Sequence, residues 1–299
     1  MTSHSARPFG RLLTAMITPF DARSEVDADG VRELAAHLVD AQRCDGLVLN
    51  GTTGESATTS DAEKEAVVRA VVEAVGDRAK VVAGVGTNDT AHSIELAHRA
   101  EKAGAHGLLV VTPYYNKPPQ AGLIRHFTAI ADATALPVML YDIPGRSGVP
   151  IETETIIRLA EHPRIVAVKD SKGDLFASQR VLAATDLSLY SGIDELNLAT
   201  AAIGQVGAVS VVAHLVGHRL AEMYDAIDRG DLATARAVNL ALVPAVAGLM
   251  TRTQGTIAVK AALDMKGLPA GPVRSPLVDA DDVLREQLRA DLAAAGETL

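Results

Sequence analysis

Lys169 closes an apolar run, Ile165-Val166-Ala167-Val168, and a primary amine in that setting is a candidate nucleophile for a carbonyl carbon. Burial disfavours the ammonium form, and the free amine attacks a ketone to give a Schiff base. Period-two alternation places Ile165, Ala167 and Lys169 on one face of a strand, with the amine at its end. A lysine there can also snorkel to solvent or pair with Asp170, so this run alone leaves both readings open.

Three other segments carry side chains suited to the same chemistry. Leu140-Tyr141-Asp142-Ile143-Pro144-Gly145-Arg146-Ser147-Gly148 joins a phenol, a turn and a guanidinium. A tyrosine beside an imine can shuttle protons, and an arginine can grip a carboxylate with two parallel hydrogen bonds. Gly51-Thr52-Thr53-Gly54-Glu55-Ser56 supplies glycines that let backbone N–H groups face an anion, and two hydroxyls nearby. Thr112-Pro113-Tyr114-Tyr115 ends in adjacent tyrosines before Asn116-Lys117-Pro118-Pro119, a proline-stiffened loop suited to a partner or a ligand. Each segment also has an ordinary reading as core, turn or surface.

The elements that must position these groups are legible as eight short β-branched runs, at residues 12–17, 46–50, 80–85, 107–111, 137–141, 165–169, 187–191 and 208–212. Between them lie amphipathic helical patterns. Residues 61–75 carry Ala66, Val67, Ala70, Val71 and Ala74 at helical spacing, with Ser60-Asp61 as a start signal and Gly76 as a stop. Strand and helix alternate without a two-residue hairpin signal, which predicts a parallel sheet, and eight such units predict a (β/α)8 TIM barrel. An open doubly wound sheet is the competing arrangement. In a barrel, polar residues at the C-terminal strand ends face the active site, which is where all four segments fall. Helical patterns continue at 221–229, 232–250, 256–265 and 280–295, with Pro244 expected to kink or divide the second. This reading divides the chain into a catalytic barrel, residues 1–228, and a C-terminal helical extension packed on it, residues 229–299.

Composition narrows the function class. A formal net charge of −9 with no Lys/Arg-rich run argues against nucleic acid and an anionic membrane surface. One cysteine, Cys44, excludes an internal disulfide and reads as a small buried hydrophobe in a cytoplasmic protein. Residues 1–10 lack the apolar core of a signal peptide. The apolar stretch 203–216 is interrupted by Gly204, Gln205, Gly207 and His214 and falls short of a membrane span. The histidines show no metal-ligand spacing, so no metal is expected.

Taken together and in order, the motifs Gly51-Thr52-Thr53-Gly54-Glu55, Thr112-Pro113-Tyr114-Tyr115, Tyr141-Asp142-Ile143-Pro144-Gly145-Arg146-Ser147-Gly148 and Val168-Lys169-Asp170 resemble the pyruvate-dependent class I aldolase family, which includes N-acetylneuraminate lyase. Within it they are most similar to the dihydrodipicolinate synthases, over about residues 12–268. The resemblance implies that Lys169 forms an imine with pyruvate, and that the derived enamine adds to L-aspartate 4-semialdehyde. It implies a proton relay of Tyr141, Thr52 and Tyr115, the last reaching across a dimer interface. Thr53 would hold the pyruvate carboxylate and Arg146 that of the second substrate, with Gly192 and Val209 lining the pocket. No external cofactor is implied, because the imine is itself the electron sink. A homotetramer, a dimer of dimers, is the implied assembly.

Arg146 favours the semialdehyde over the sugar acids of related lyases and dehydratases, which generally carry a small or apolar residue there. Two departures from the pattern stand out. Ile193 replaces a frequent acidic residue. At the family's lysine-feedback site, His92 and Lys64 replace an acidic residue and a histidine while Asn88 and Tyr114 remain, which implies weak or absent inhibition by lysine.

Overall fold

The computed structural model describes residues 7–299, so the part of the signal-peptide reading that concerns residues 1–6 lies outside the described residues. Eight strands alternate with helices: β1 (Leu12–Ala15), α1 (Ala28–Asp40), β2 (Gly46–Leu49), α2 (Asp61–Val75), β3 (Lys80–Gly84), α3 (Thr90–Lys102), β4 (Gly107–Val111) and α4 (Gln120–Ala133). The second half runs β5 (Val138–Asp142), α5 (Pro144–Ser147), α6 (Thr153–Leu159), β6 (Ile165–Asp170), α7 (Leu175–Ala184), β7 (Ser188–Ser191), α8 (Asn197–Ala202), β8 (Gly207–Ser210) and α9 (Ala213–Asp228). All neighbouring strands are parallel, and β1 pairs with both β2 and β8, closing the sheet into a barrel. The expected (β/α)8 fold is therefore present and the open sheet is not.

The strands build two apolar layers. Leu13, Val48, Val82, Leu109, Met139, Ala167, Tyr190 and Val209 fill the barrel. Leu12, Leu47, Val81, Leu108, Leu140 and Val168 point outward against the helices. Removing about 25 cal/mol per Å² of apolar surface from water drives both layers together. Cys44 is buried as expected, its thiol 2.9 Å from the Thr14 hydroxyl and pushed up to about 12 by burial.

Strand β6 departs from simple alternation. Val138 pairs with Ile165, but Met139 pairs with Ala167, so Val166 is skipped in the ladder. Ile165 consequently packs in the outer layer, while Val166 lies against the inner one beside Ala167. The expectation that Ile165 shares a face with Lys169 is thus corrected: an extra residue flips one side chain across the sheet.

Helix ends follow local chemistry. Ser60 and Glu63 form a capping box at the start of α2, each satisfying an N–H that the helix leaves unpaired, and the helix stops at Gly76. Helix α9 begins at Ala213, earlier than its sequence pattern suggests, and bends at Val216 where the backbone is non-helical. Three further helices, α10 (Leu232–Thr251), α11 (Gly255–Met265) and α12 (Asp282–Ala294), pack on α9 and on one another. Pro244 does not divide α10; the bond it removes falls at Leu240, on the exposed side of the helix. This helix is also longer than the 203–216 stretch, with a mean hydropathy of 1.5, and Ala235, Leu242, Ala245 and Leu249 anchor its buried face.

Candidate active site

The C-terminal strand ends open into a cavity of about 450 Å³, and five of the residues singled out in the sequence line it: Thr52, Tyr114, Tyr115, Tyr141 and Arg146. Lys169 does not itself line it; it lies beside Tyr141, which does. Strands β5 and β6 place Tyr141 directly opposite Lys169, and the Lys169 ammonium sits 4.3 Å from the centroid of the Tyr141 ring. Both side chains are buried. A cation over an aromatic face is attracted by its negative π-surface, which fixes the two groups together.

Lys169 is not paired with Asp170. The Asp170 carboxylate faces the other side of the strand, where it accepts the Ser178 hydroxyl at 2.5 Å and the Lys172 N–H at 2.9 Å. Asp142, on the same outer side, is 3.3 Å from the Lys172 ammonium, and burial pushes its carboxyl up to about 6. Alternation along β5 and β6 thus sorts the charges: carboxylates behind the sheet, and a single amine and phenol within the barrel.

Gly192 and Val209 complete the surroundings of Lys169, though neither lines the cavity itself. Val209 fills the barrel layer beneath, in the same cluster as Tyr141. At Gly192 a Cβ would stand 2.1 Å from the Ser171 Oγ and 3.0 Å from the Lys169 Cγ, so only glycine lets β7 pass this close to the lysine stem.

Thr52 and Thr53 stand on the loop that follows β2. Thr53 is buried and Thr52 half-buried. The loop turns back on itself: the Glu55 N–H donates to the Thr52 carbonyl at 3.1 Å and the Ser56 N–H to the Gly51 carbonyl at 3.3 Å. Arg146 belongs to the single-turn helix α5, which Pro144 starts and Gly148 ends in the left-handed region. Its guanidinium is exposed toward the cavity and has no acidic partner among the described residues. Tyr115 holds a positive φ of 72° and leaves 89% of its surface exposed, well beyond its neighbour Tyr114 at 40%. Such a strained, solvent-facing aromatic suits a contact outside its own subunit.

The cavity has a further wall that the sequence reading did not assign. Gln254, Arg274, Pro276 and Leu277, all from the C-terminal extension, line it together with Glu55. One signal was available: Lys260 stands alone in the apolar pattern Ile257-Ala258-Val259-Lys260-Ala261-Ala262-Leu263, where a charge needs a partner.

The two positions expected to bear on lysine response are also engaged. The His92 imidazole meets Asp61 at 2.9 Å, and the Lys64 ammonium donates to the Thr59 carbonyl.

Comparison with known proteins agrees with this arrangement. Residues 8–295 match the model of the Dihydrodipicolinate synthetase family. The chain is 63% identical over 298 residues to the 4-hydroxy-tetrahydrodipicolinate synthase 2 of Streptomyces coelicolor, covering 100% of this chain and 99% of the relative. It is 62% identical over 291 residues to the 4-hydroxy-tetrahydrodipicolinate synthase of Kineococcus radiotolerans, covering 97% and 94%. Among solved structures, the lysine-bound enzyme from Cyanidioschyzon merolae superposes with a TM-score of 0.94 at 41% identity, covering 97% of this chain and 99% of that one. A family match across nearly the whole chain, together with a buried lysine and tyrosine at the mouth of a closed barrel, places the protein in the dihydrodipicolinate synthetase family.

Proposed function

We propose that this protein condenses pyruvate with L-aspartate 4-semialdehyde to give 4-hydroxy-tetrahydrodipicolinate, a step toward diaminopimelate and lysine. The observation that carries this reading is the buried Lys169 Nζ on the Tyr141 ring, beside a cavity that Tyr141 lines and whose rim holds Arg146 without an acidic partner among the described residues.

The Lys169 amine attacks C2 of pyruvate, and loss of water gives the imine. Thr53 and the amides of its loop hold the pyruvate carboxylate. A proton leaves C3, and the enamine carbon bonds to the aldehyde carbon of the semialdehyde. Arg146 holds the second carboxylate in a paired, charge-assisted contact. Tyr141, Thr52 and Tyr115 pass the protons that these steps release and consume, with Tyr115 supplied by a neighbouring subunit of a homotetramer. The amino group of the bound substrate then attacks the former C2, closing the ring and freeing Lys169. The barrel, residues 1–228, supplies these groups, and the extension, residues 229–299, backs the loop that carries the threonines. The setting is cytoplasmic.

Arg146 favours this reaction over cleavage of a sugar acid, because a substrate carrying a second carboxylate gains most from a free guanidinium at the rim. The decisive experiment is intact mass after borohydride reduction with pyruvate, for wild type and Lys169→Ala, beside a condensation assay with the semialdehyde. A pyruvyl adduct on wild type alone, with turnover, is the expected result. An adduct without turnover would transfer the protein to the other lyases of the family, and no adduct on folded wild type would overturn the imine mechanism.

A further inference from the structure

Behind the threonine loop lies a buried ion pair that the proposed mechanism does not use. The Glu55 carboxylate is 2.7 Å from the Lys260 ammonium, with side-chain exposures of 2% and 3%. The other Glu55 oxygen accepts the Arg274 backbone N–H at 2.8 Å. Lys260 also donates to the Pro272 carbonyl at 2.8 Å and lies 4.1 Å over the Phe20 ring. Two charges this far from water persist only when paired and hydrogen-bonded on several sides, which is the case here.

The pair joins parts of the chain that are distant in sequence. Lys260 belongs to α11, and Arg274 to the segment that follows it. On the same seam the Thr256 hydroxyl donates to the Thr53 carbonyl at 3.2 Å, and an Arg274 guanidinium N–H donates to the Thr58 carbonyl at 2.8 Å. Glu55 itself sits at a φ of +56°, a left-handed conformation that a residue with a side chain keeps only under outside constraint. Its N–H is the donor to the Thr52 carbonyl. The conformation of Glu55 therefore sets the direction in which Thr52 and Thr53 present their hydroxyls and amides.

We propose that Glu55 is a positioning residue, locked by Lys260 and the Arg274 backbone, and that the C-terminal extension through this lock holds the Thr52–Thr53 loop in the geometry that captures the pyruvate carboxylate. The inference rests on the reading of that loop as the pyruvate site. The lock acts on the first substrate and not the second, because Arg146 stands on α5 and, among the described residues, no hydrogen bond or ion pair joins it to Glu55, Lys260 or Arg274, although it borders the same cavity.

The test is the double variant Glu55→Met/Lys260→Met, which replaces the ion pair with two apolar side chains of similar length and leaves no unpaired buried charge. Steady-state kinetics and pyruvate trapping are measured on folded tetramer or dimer, whichever the wild type forms. The expected outcome is a fall of about 10²-fold in kcat/KM for pyruvate, carried by KM. The semialdehyde KM stays within about twofold, and borohydride trapping still reaches completion at saturating pyruvate because Lys169 is intact. A folded double variant with wild-type pyruvate KM would overturn the proposal and leave the pair a purely structural one. A loss of kcat with both KM values unchanged would do the same. Should the double variant fail to fold, Thr256→Val decides: a several-fold rise in pyruvate KM alone supports the lock, and an unchanged KM overturns it. Failure of the underlying reading shows up separately, as wild type that forms no adduct with pyruvate.

Discussion

The Lys169 ammonium lies 4.3 Å from the centroid of the Tyr141 ring, and the two residues are direct ladder partners on β6 and β5. Their proximity is written into the strand register, so it needs no loop movement to form. A phenol held this way is placed to move protons for an imine on the neighbouring nitrogen. Tyr141→Phe keeps the ring and removes the hydroxyl. It is expected to lower kcat by about 10²–10⁴-fold while slowing, but not abolishing, borohydride-trappable adduct formation. Rapid-quench mass spectrometry measures this, and an adduct forming at the wild-type rate would remove Tyr141 from the proton relay.

Gly192→Ala tests how closely β7 presses on the nucleophile. The new methyl meets the Ser171 Oγ at 2.1 Å and the Lys169 Cγ at 3.0 Å. Displacement of the lysine stem is expected to reduce kcat by about 10²-fold. Ser171→Ala in the same chain removes the tighter clash and is expected to recover part of the loss. Wild-type kinetics in the single variant would show that the site tolerates a side chain there.

Arg146→Ala separates the two substrates. A charge-assisted pair contributes roughly 1.5–3 kcal/mol, so kcat/KM for aspartate 4-semialdehyde should drop by about 10–100-fold. Pyruvate trapping should be unaffected, since the first step does not involve this group. An equal loss for both substrates would assign Arg146 to the pyruvate site or to the fold.

Stability should depend on His214 in mild acid. The neutral ring accepts the Ile17 N–H at 3.0 Å and bonds the Val211 carbonyl at 2.7 Å, and burial holds it down at about 4, below the ordinary 6.5. Between these values the unfolded chain binds a proton that the native protein refuses, so stability is complete above about pH 6.5 and declines as pH falls toward about 4. The loss is on the order of 3 kcal/mol. Burial lowers His126 to about 4 as well and adds a loss of the same sign. Asp142, raised to about 6, takes up a proton in the native state over part of the same window and opposes this loss, so His214→Gln should remove most of the net slope in urea melts taken across it. An unchanged slope would assign the acid sensitivity to other groups.

Feedback by lysine is expected to be weak or absent. His92 is turned onto Asp61, and the Lys64 ammonium is bound to the Thr59 carbonyl, at the two positions where the family resemblance implies an acidic residue and a histidine in lysine-sensitive members. A cationic ligand loses one carboxylate and meets an additional positive charge. Calorimetric titration should give no binding heat, and His92→Glu with Lys64→His should introduce it. Inhibition of the wild type at concentrations that inhibit sensitive relatives would contradict this.

The sequence by itself determined the fold class and singled out most of the candidate site residues. Eight β-branched runs separated by amphipathic helices leave little choice but a closed parallel barrel, because each unit must bury one sheet edge and one helix face. Lys169, Tyr141, Thr52 and Arg146 could be singled out as candidates because residue types suited to catalysis fell at the C-terminal ends of predicted strands, where the fold itself opens a site. Alternation failed only at Ile165, where one skipped residue in the β5–β6 ladder reversed its face. That skip depends on how two strands match across a gap, and no local pattern encodes it. Tertiary structure alone decided that Asp170 turns away from Lys169, that α10 runs through Pro244, and that α11 reaches back to the threonine loop. Glu55 and Lys260 lie 205 positions apart, and only burial in a shared interior forces their two charges to find each other.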